Sequence, residues 1–209
     1  MAQSLGALLA RGLAAQGVEC DQSTQQQLIT FAHLLHKWNK VYNLTAIRDP
    51  QQIVIRHILD SLSILPYLKG PRIIDVGAGA GLPGIPLALL SPQYTFVELD
   101  SVAKKTRFMR QAVIELGLAN VAVETGRVEE LPADVTYDTV MTRAFASLAD
   151  MIAKAGRLCA ADGRLLAMKG SYPEQELADV PPPYHVQAVN KLSVFGLDED
   201  RYLVQLSPA

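Results

Sequence analysis

The run Asp75-Val-Gly77-Ala-Gly79-Ala-Gly81-Leu-Pro-Gly84 places four glycines and one carboxylate in ten residues, directly after the apolar stretch that begins at Arg72. Glycines at this spacing give a tight turn and leave no side chain between backbone and ligand. A helix opening behind such a turn presents free N–H groups and the positive end of its dipole to an anionic group. The chemistry expected is capture of a nucleotide-containing ligand. Asp100 stands 19 residues beyond Gly81, where a carboxylate can accept from both hydroxyls of a ribose. Glu98 points to the same strand face two residues earlier. Asp100 is favoured because it ends its strand, where a ligand crevice opens; its competing role is to cap the helix that follows. Asp75, inside an apolar strand, either touches ligand or ties down the turn amides.

Two cofactors compete for this turn. Counted from Gly79, the residues fit the dinucleotide pattern G-x-G-x-x-G. The glycine that directly follows the strand is Gly77, however, and the sixth position from it is Leu82, which breaks that pattern. Counted from Asp75, the stretch fits acidic-x-G-x-G-x-G and resembles the first motif of S-adenosylmethionine-dependent methyltransferases, the preferred reading.

Further along, Arg143 in Met141-Thr-Arg-Ala-Phe145 follows an apolar strand whose end faces the same crevice. It could hold a cofactor carboxylate, a base edge or a phosphate, or make a surface ion pair. Phe145 could stack on a base or fill the core. Lys104, Lys105, Arg107 and Arg110 share one helix, and Lys37, Lys40, Arg48 and Arg56 cluster earlier. A solvated face explains either run alone; two such surfaces on one slightly acidic chain favour a phosphate backbone.

The elements that must position these residues follow from periodicity. Met1 to Gly17 reads as an amphipathic helix with Leu5, Leu8, Leu9 and Leu13 on one face. Ser23 and Gln26 fit a capping box before a helix with Leu28, Phe31, Ala32, Leu35 and Trp38 on one face and His33, His36, Lys37 and Lys40 on the other. Asp49-Pro50 opens a third helix, predicted to bury Ile55, Ile58, Leu59 and Leu62 and to show Arg56, His57 and Asp60. From residue 72, strands are predicted at 72–76, 94–99, 121–124, 137–142, 164–169, 186–192 and 201–206, with Asp162-Gly163 as a turn into the fifth. Alternating β and α with a closing hairpin argues for a mostly parallel sheet with helices on both faces.

Composition sets the outer limits. The 209 residues are 49% hydrophobic and 19% charged with a net charge of −2, so one sizeable core plus an appended subdomain is expected and a global basic field is not. Cys20 and Cys159 lie far apart, which suggests a reduced cytoplasmic pair and no metal cluster. No apolar run reaches membrane-spanning length.

Six blocks carry a more specific resemblance: Lys37 to Thr45, Arg56 to Ser61, Asp75 to Pro86, Arg127 to Glu130, Arg143 to Leu148, and Lys169-Gly170. In this order they resemble the bacterial 16S ribosomal RNA guanine-N7 methyltransferase family, RsmG (also called GidB). The resemblance implies a Rossmann-like class I methyltransferase fold. Its sheet would be mostly parallel and seven-stranded with an antiparallel C-terminal hairpin. Residues 1–68 would form a helical extension packed on an S-adenosylmethionine-binding domain at 69–209. It implies methyl transfer from S-adenosylmethionine, leaving S-adenosylhomocysteine, to one guanine in the decoding-region loop of 16S rRNA. The partner would be the small ribosomal subunit, with the protein cytoplasmic, off the membrane and, as a working expectation, monomeric. By position it places cofactor contacts on Gly77, Leu82, Val128, Glu129 and Arg143, to which the turn adds Gly79 and the strand end Asp100. Arg143, Lys169 and the region from Asn39 to Asn43 are expected to position the base or its phosphates. No residue is expected to act as a chemical catalyst, because guanine N7 carries a free lone pair and no proton. A methyltransferase for a protein or small molecule, and a non-catalytic nucleotide-binding module, remain the alternatives.

Overall fold

The computed structural model describes residues 4–143 and 145–209. The first three residues of the Met1–Gly17 stretch, and Ala144 of the Arg143–Leu148 block, lie outside the described residues.

Four α-helices, a π-helical segment and a 3₁₀ turn, Leu65–Tyr67, precede the first strand. Helix α1, Leu5–Ala15, buries Leu8, Leu9 and Leu13. Helix α2, Gln22–Tyr42, buries Leu28, Phe31, Ala32 and Leu35, the expected face. Its cap is Asp21, whose Oδ1 accepts from Thr24 N–H at 2.7 Å, two residues before the predicted capping box. It ends on Asn43 in the left-handed region, φ 48°, which asparagine tolerates better than other non-glycine residues. Helix α3, Pro50–Ile53, opens as predicted, with Asp49 accepting from Gln52 N–H at 2.9 Å.

The chain then runs through a π-helical segment, Val54–Leu59, into the short helix α4, Asp60–Leu62. This segment departs from the sequence expectation. Ile55, Ile58, Leu59 and Leu62 are buried as expected, but the segment is covered on its other side as well, where Val54 and Ser61 are also buried. His57 and Asp60, expected on the exposed face, are buried, Asp60 completely.

The sheet has seven strands: β1 Arg72–Val76, β2 Thr95–Asp100, β3 Val121–Thr125, β4 Tyr137–Thr142, β5 Cys159–Lys169, β6 Tyr184–Leu192 and β7 Arg201–Pro208. Their order is β3-β2-β1-β4-β5-β7-β6. The first five pair in parallel, and β7 runs antiparallel between β5 and β6. The crossovers are α5 Gly84–Leu90, α6 Ala103–Leu116 and α7 Leu148–Ala155, and α8 Glu174–Ala178 follows β5. Asp162-Gly163 does not form the predicted turn. It lies within β5, where the pairing jumps from Tyr137↔Cys159 to Thr139↔Arg164; the extra residues bulge and keep the strand continuous.

Strand alternation sorts the core onto two faces. Ile73, with Phe96, Phe108 and Phe31, packs toward the N-terminal helices. Ile74, with Leu99, Val140, Leu148 and Leu165, packs under α7. The first cluster runs unbroken from Leu8 of α1 to Leu203 of β7. Among the described residues no helix is long and apolar enough to cross a membrane.

Candidate active site

The glycine turn joins β1 to α5, and β2 anchors it. Gly77 and Ala78 donate their N–H groups to Leu99 O at 2.8 and 3.0 Å. Gly77, Gly79 and Gly81 all have positive φ, 75°, 62° and 72°, a conformation that strains any residue carrying a Cβ. The Thr142 hydroxyl donates to Val76 O at 2.7 Å and binds the end of β4 to the end of β1.

Asp100 ties the glycine turn to the segment that leads into α6, although its side chain does not cap that helix. Oδ2 accepts from Gly79 N–H at 2.9 Å, Oδ1 accepts from Val102 N–H at 2.8 Å, and Lys105 Nζ lies 3.5 Å from Oδ2. One carboxylate thus fixes the turn and the entry to α6. Oδ1 keeps a further lone pair, whereas Oδ2 also accepts from Lys105.

The start of α5 differs from expectation. Gly84 N–H, at the first residue of the helix, is not offered to a ligand: it donates to Asp75 Oδ2 at 3.0 Å. Asp75 is completely buried, as is Glu98 beside it. Burial pushes the Asp75 carboxyl up to about 7 and Glu98 well above the carboxylate range.

A crevice of about 300 Å³ opens at the carboxyl ends of β1, β2 and β3, at the low end of the roughly 300–1,000 Å³ of small-molecule sites. Gly77, Asp100, Val128, Glu129 and Phe145 line it, with Lys105 and Lys154 at its edge. Val128 and Glu129 belong to a short 3₁₀ turn, Val128–Glu130, whose Val128 carbonyl accepts from Arg157 at 2.7 Å. Val128 is buried and Glu129 exposed. This donor set fits a nucleoside: carboxylates for hydroxyls, apolar Val128, Val102 and Phe145 for a ring, and a backbone turn for close approach. Gly79 and Leu82 shape the turn from behind, and neither lines the crevice.

A second cavity of about 240 Å³ is lined by Asp60, Arg143, Met168, Lys169, Gly170 and Arg201. Asp60 is its hub. Oδ2 lies 2.9 Å from Arg143 Nη2 and Oδ1 lies 3.2 Å from Arg201 Nε. Burial pushes the Asp60 carboxyl up, against the pull of both arginines; two cations are what a buried carboxylate needs. Lys169 Nζ lies 2.8 Å from Glu176 Oε2, which also accepts from Leu148 N–H. Arg143 therefore sits in the neighbouring cavity and not in the crevice. Phe145 borders the crevice and also the small cleft that contains Arg143 and Lys169.

Asn39 reaches neither cavity. Its amide closes the loop after α2, donating to Ile47 O and accepting from Thr45 N–H, both at 2.9 Å. Thr45 in turn meets His57 Nε2 at 2.8 Å, and His57 Nδ1 lies 3.1 Å from Arg56 O. The second nitrogen can only donate to that carbonyl, so Nδ1 carries a proton. Burial, with Arg143 nearby, lowers its pKa to about 4.

Sequence reasoning missed Asp60, Arg201 and Glu176. Arg201 entered only as the first residue of a predicted strand, and Asp60 as one of three polar residues on a presumed outer face. The block Arg56 to Ser61 was the available signal.

The chain matches a family model described as rRNA small subunit methyltransferase G, GidB, over residues 24–204. It is 50% identical over 201 residues to the ribosomal RNA small subunit methyltransferase G of Nitrosococcus oceani, covering 96% of this chain and 94% of that one. The chain belongs to this family. The Escherichia coli relative of the same name is 48% identical over 190 residues, covering 91% and 92% of the two chains. A solved methyltransferase from Aquifex aeolicus, described as SAM-dependent, superposes with a TM-score of 0.58 at 18% identity, covering 81% of this chain and 96% of that one, and shows the fold. The protein is therefore a class I methyltransferase of small-subunit rRNA that uses S-adenosylmethionine.

Proposed function

We propose that the crevice at Gly77, Asp100, Val128 and Glu129 holds S-adenosylmethionine and that the cavity around Arg143 receives a guanine of 16S rRNA, methylated at N7. The observation that carries this reading is the adjacency of the two spaces. A nucleoside-sized crevice with carboxylate acceptors shares Phe145 with a small cleft, and that cleft shares Arg143, Met168 and Lys169 with the cavity rich in cations.

S-adenosylmethionine supplies a methyl group on a sulfonium, an electrophile that a neutral ring nitrogen can attack. Guanine N7 has an in-plane lone pair and no proton to remove, so the residues need only bind, orient and desolvate. Asp100 and Glu129 accept hydroxyls on the cofactor side. Arg143, Lys169 and Arg201 hold the acceptor nucleotide by its phosphate or by O6 of the base, which leaves the N7 lone pair free to attack. Asn39 acts through the loop that it closes, where Thr45 fixes His57 one turn before Asp60.

Lys37 and Lys40 near the end of α2 and Lys104 in the first turn of α6 are exposed. Lys104 Nζ donates to Tyr42 O at 2.9 Å, which joins the two basic stretches at one edge of the crevice mouth. This edge suits the flanking RNA backbone. The enzyme would act in the cytoplasm, as a monomer, on the small subunit or its RNA.

The test is methyl transfer from labelled S-adenosylmethionine to small ribosomal subunits from cells lacking this gene, followed by nucleoside analysis. Label in 7-methylguanosine at one position is expected. Label in another nucleoside, or none in RNA, overturns the proposal.

A further inference from the structure

Beneath the glycine turn lies an acid pair that the proposed methyl transfer does not use. Asp75 and Glu98 are register partners on the parallel strands β1 and β2 and point to the same face. Both are fully buried. Asp75 Oδ2 takes the Gly84 N–H, whereas Asp75 Oδ1 and both Glu98 oxygens have no hydrogen-bond partner among the described residues. Gly84 sits directly on the second carboxyl: a Cβ built there would fall 1.7 Å from Glu98 Oε1. Backbone, Asp75 and Glu98 thus form one packed unit under the turn that lines the crevice.

Two adjacent buried carboxylates cannot both stay ionised, and three orphaned oxygens are costly to bury. One proton relieves both problems, because an O–H between the two side chains removes a charge and leaves one orphaned oxygen in place of three. We propose that Glu98 is a positioning residue of the cofactor turn, held as a neutral carboxylic acid that donates its proton to Asp75 and braces Gly84 from below. This rests on the turn being the cofactor site.

The surroundings say which residue keeps the proton. Asp75 accepts from Gly84 and feels the positive charge of Arg143, both of which favour its ionised form. Glu98 has neither and meets only the negative charge of Asp75. Of the other packed elements, α5 carries no charged residue, and β3 faces Glu98 with Val123. Asp100 adds negative charge near Asp75 and is itself accompanied by Lys105. Burial drives both acids upward, Glu98 the further from its usual range. The brace therefore carries one negative charge. A second, at alkaline pH, would split the pair and release Gly84.

The test compares the wild-type chain with Glu98→Gln, whose amide can donate in the same bond at any pH, and Glu98→Leu, which cannot. The infrared carbonyl band of a protonated carboxyl is expected in the wild type at neutral pH and absent from Glu98→Gln. S-adenosylhomocysteine binding, by calorimetry, should stay within about threefold for Glu98→Gln and weaken about tenfold or more for Glu98→Leu, the loss of a hydrogen bond to a charged group. With rising pH the wild-type affinity should fall while that of Glu98→Gln stays flat. The proposal is overturned if the wild type shows no such band at neutral pH, if Glu98→Gln fails to fold, or if it binds as poorly as Glu98→Leu. The infrared measurement needs no cofactor, so it still decides the proton's place if the ligand assignment fails.

Discussion

Asp60 Oδ2 lies 2.9 Å from Arg143 Nη2, and this ion pair joins the N-terminal helical layer to the end of β4. Because Asp60 also holds Arg201 from β7, one buried carboxylate sets two cations that arrive from distant parts of the chain. The helical layer is thereby part of the candidate acceptor cavity and not only a cover for the sheet. This ties the block Arg56 to Ser61 to the site through Asp60.

Arg143→Ala should lower methyl transfer by about two orders of magnitude or more, the scale expected when a reacting group is misplaced by about an ångström. Asp60→Asn should act in the same direction by loosening both arginines. Both variants should keep affinity for S-adenosylhomocysteine, since neither residue lines the crevice. Single-turnover assays on small subunits, with calorimetry alongside, separate the two effects. Near-normal turnover in Arg143→Ala would remove that residue from the acceptor site.

Gly77→Asp should abolish cofactor binding while leaving most of the fold. Gly77 has φ 75° and lines the crevice, so any side chain is strained there and a carboxylate adds charge beside Asp100. Calorimetry with S-adenosylhomocysteine checks this, and thermal melting reports whether the chain still folds. Intact binding would mean that the turn does not hold the ligand.

The sheet was legible because its strands are short, apolar and bounded by Gly, Pro and Asp, and because Ile73 and Ile74 each have a face to bury. The glycine turn was legible because φ values near 70° select glycine. The bulge at Asp162-Gly163 was not, since a turn and a bulge use the same residues and only pairing with β4 separates them. Nor was the burial of Asp60 and His57, because the segment is covered on both sides and the partners that cover Asp60, Arg143 and Arg201, come from distant parts of the chain. The pairing of Asp60 with Arg201 spans 141 positions and no local pattern encodes it. Asn39 was found only through family resemblance. Its two hydrogen bonds show that it shapes a loop, a role that spacing does not reveal.

The exposed lysines make a prediction about salt. Replacing Lys37, Lys40 and Lys104 by Ala should weaken RNA binding most at low ionic strength. It should also flatten the dependence of log affinity on log salt by about 0.7 for each single-strand phosphate that is no longer neutralised. Filter binding with the target RNA across a salt series would measure it. Weakened binding with an unchanged slope would place the lysines in folding and not on the phosphates.

His57 makes stability fall in mild acid. Its folded pKa, about 4, is lower than the ordinary histidine value of 6.5, so below the latter the unfolded chain binds a proton that the folded chain refuses. The stabilisation is complete above the unfolded value. It is lost as pH falls toward the folded value and reaches about 3 kcal/mol in total, at roughly 1.4 kcal/mol per unit. His57→Gln, which keeps a partner for Thr45 and cannot titrate, should remove most of that slope between those two pH values. Urea unfolding at a series of pH values would show it as a flatter profile for the variant. Equal slopes would mean that His57 is already charged in the folded state, and with it that Thr45 and Arg56 do not hold the neutral tautomer beside Asp60.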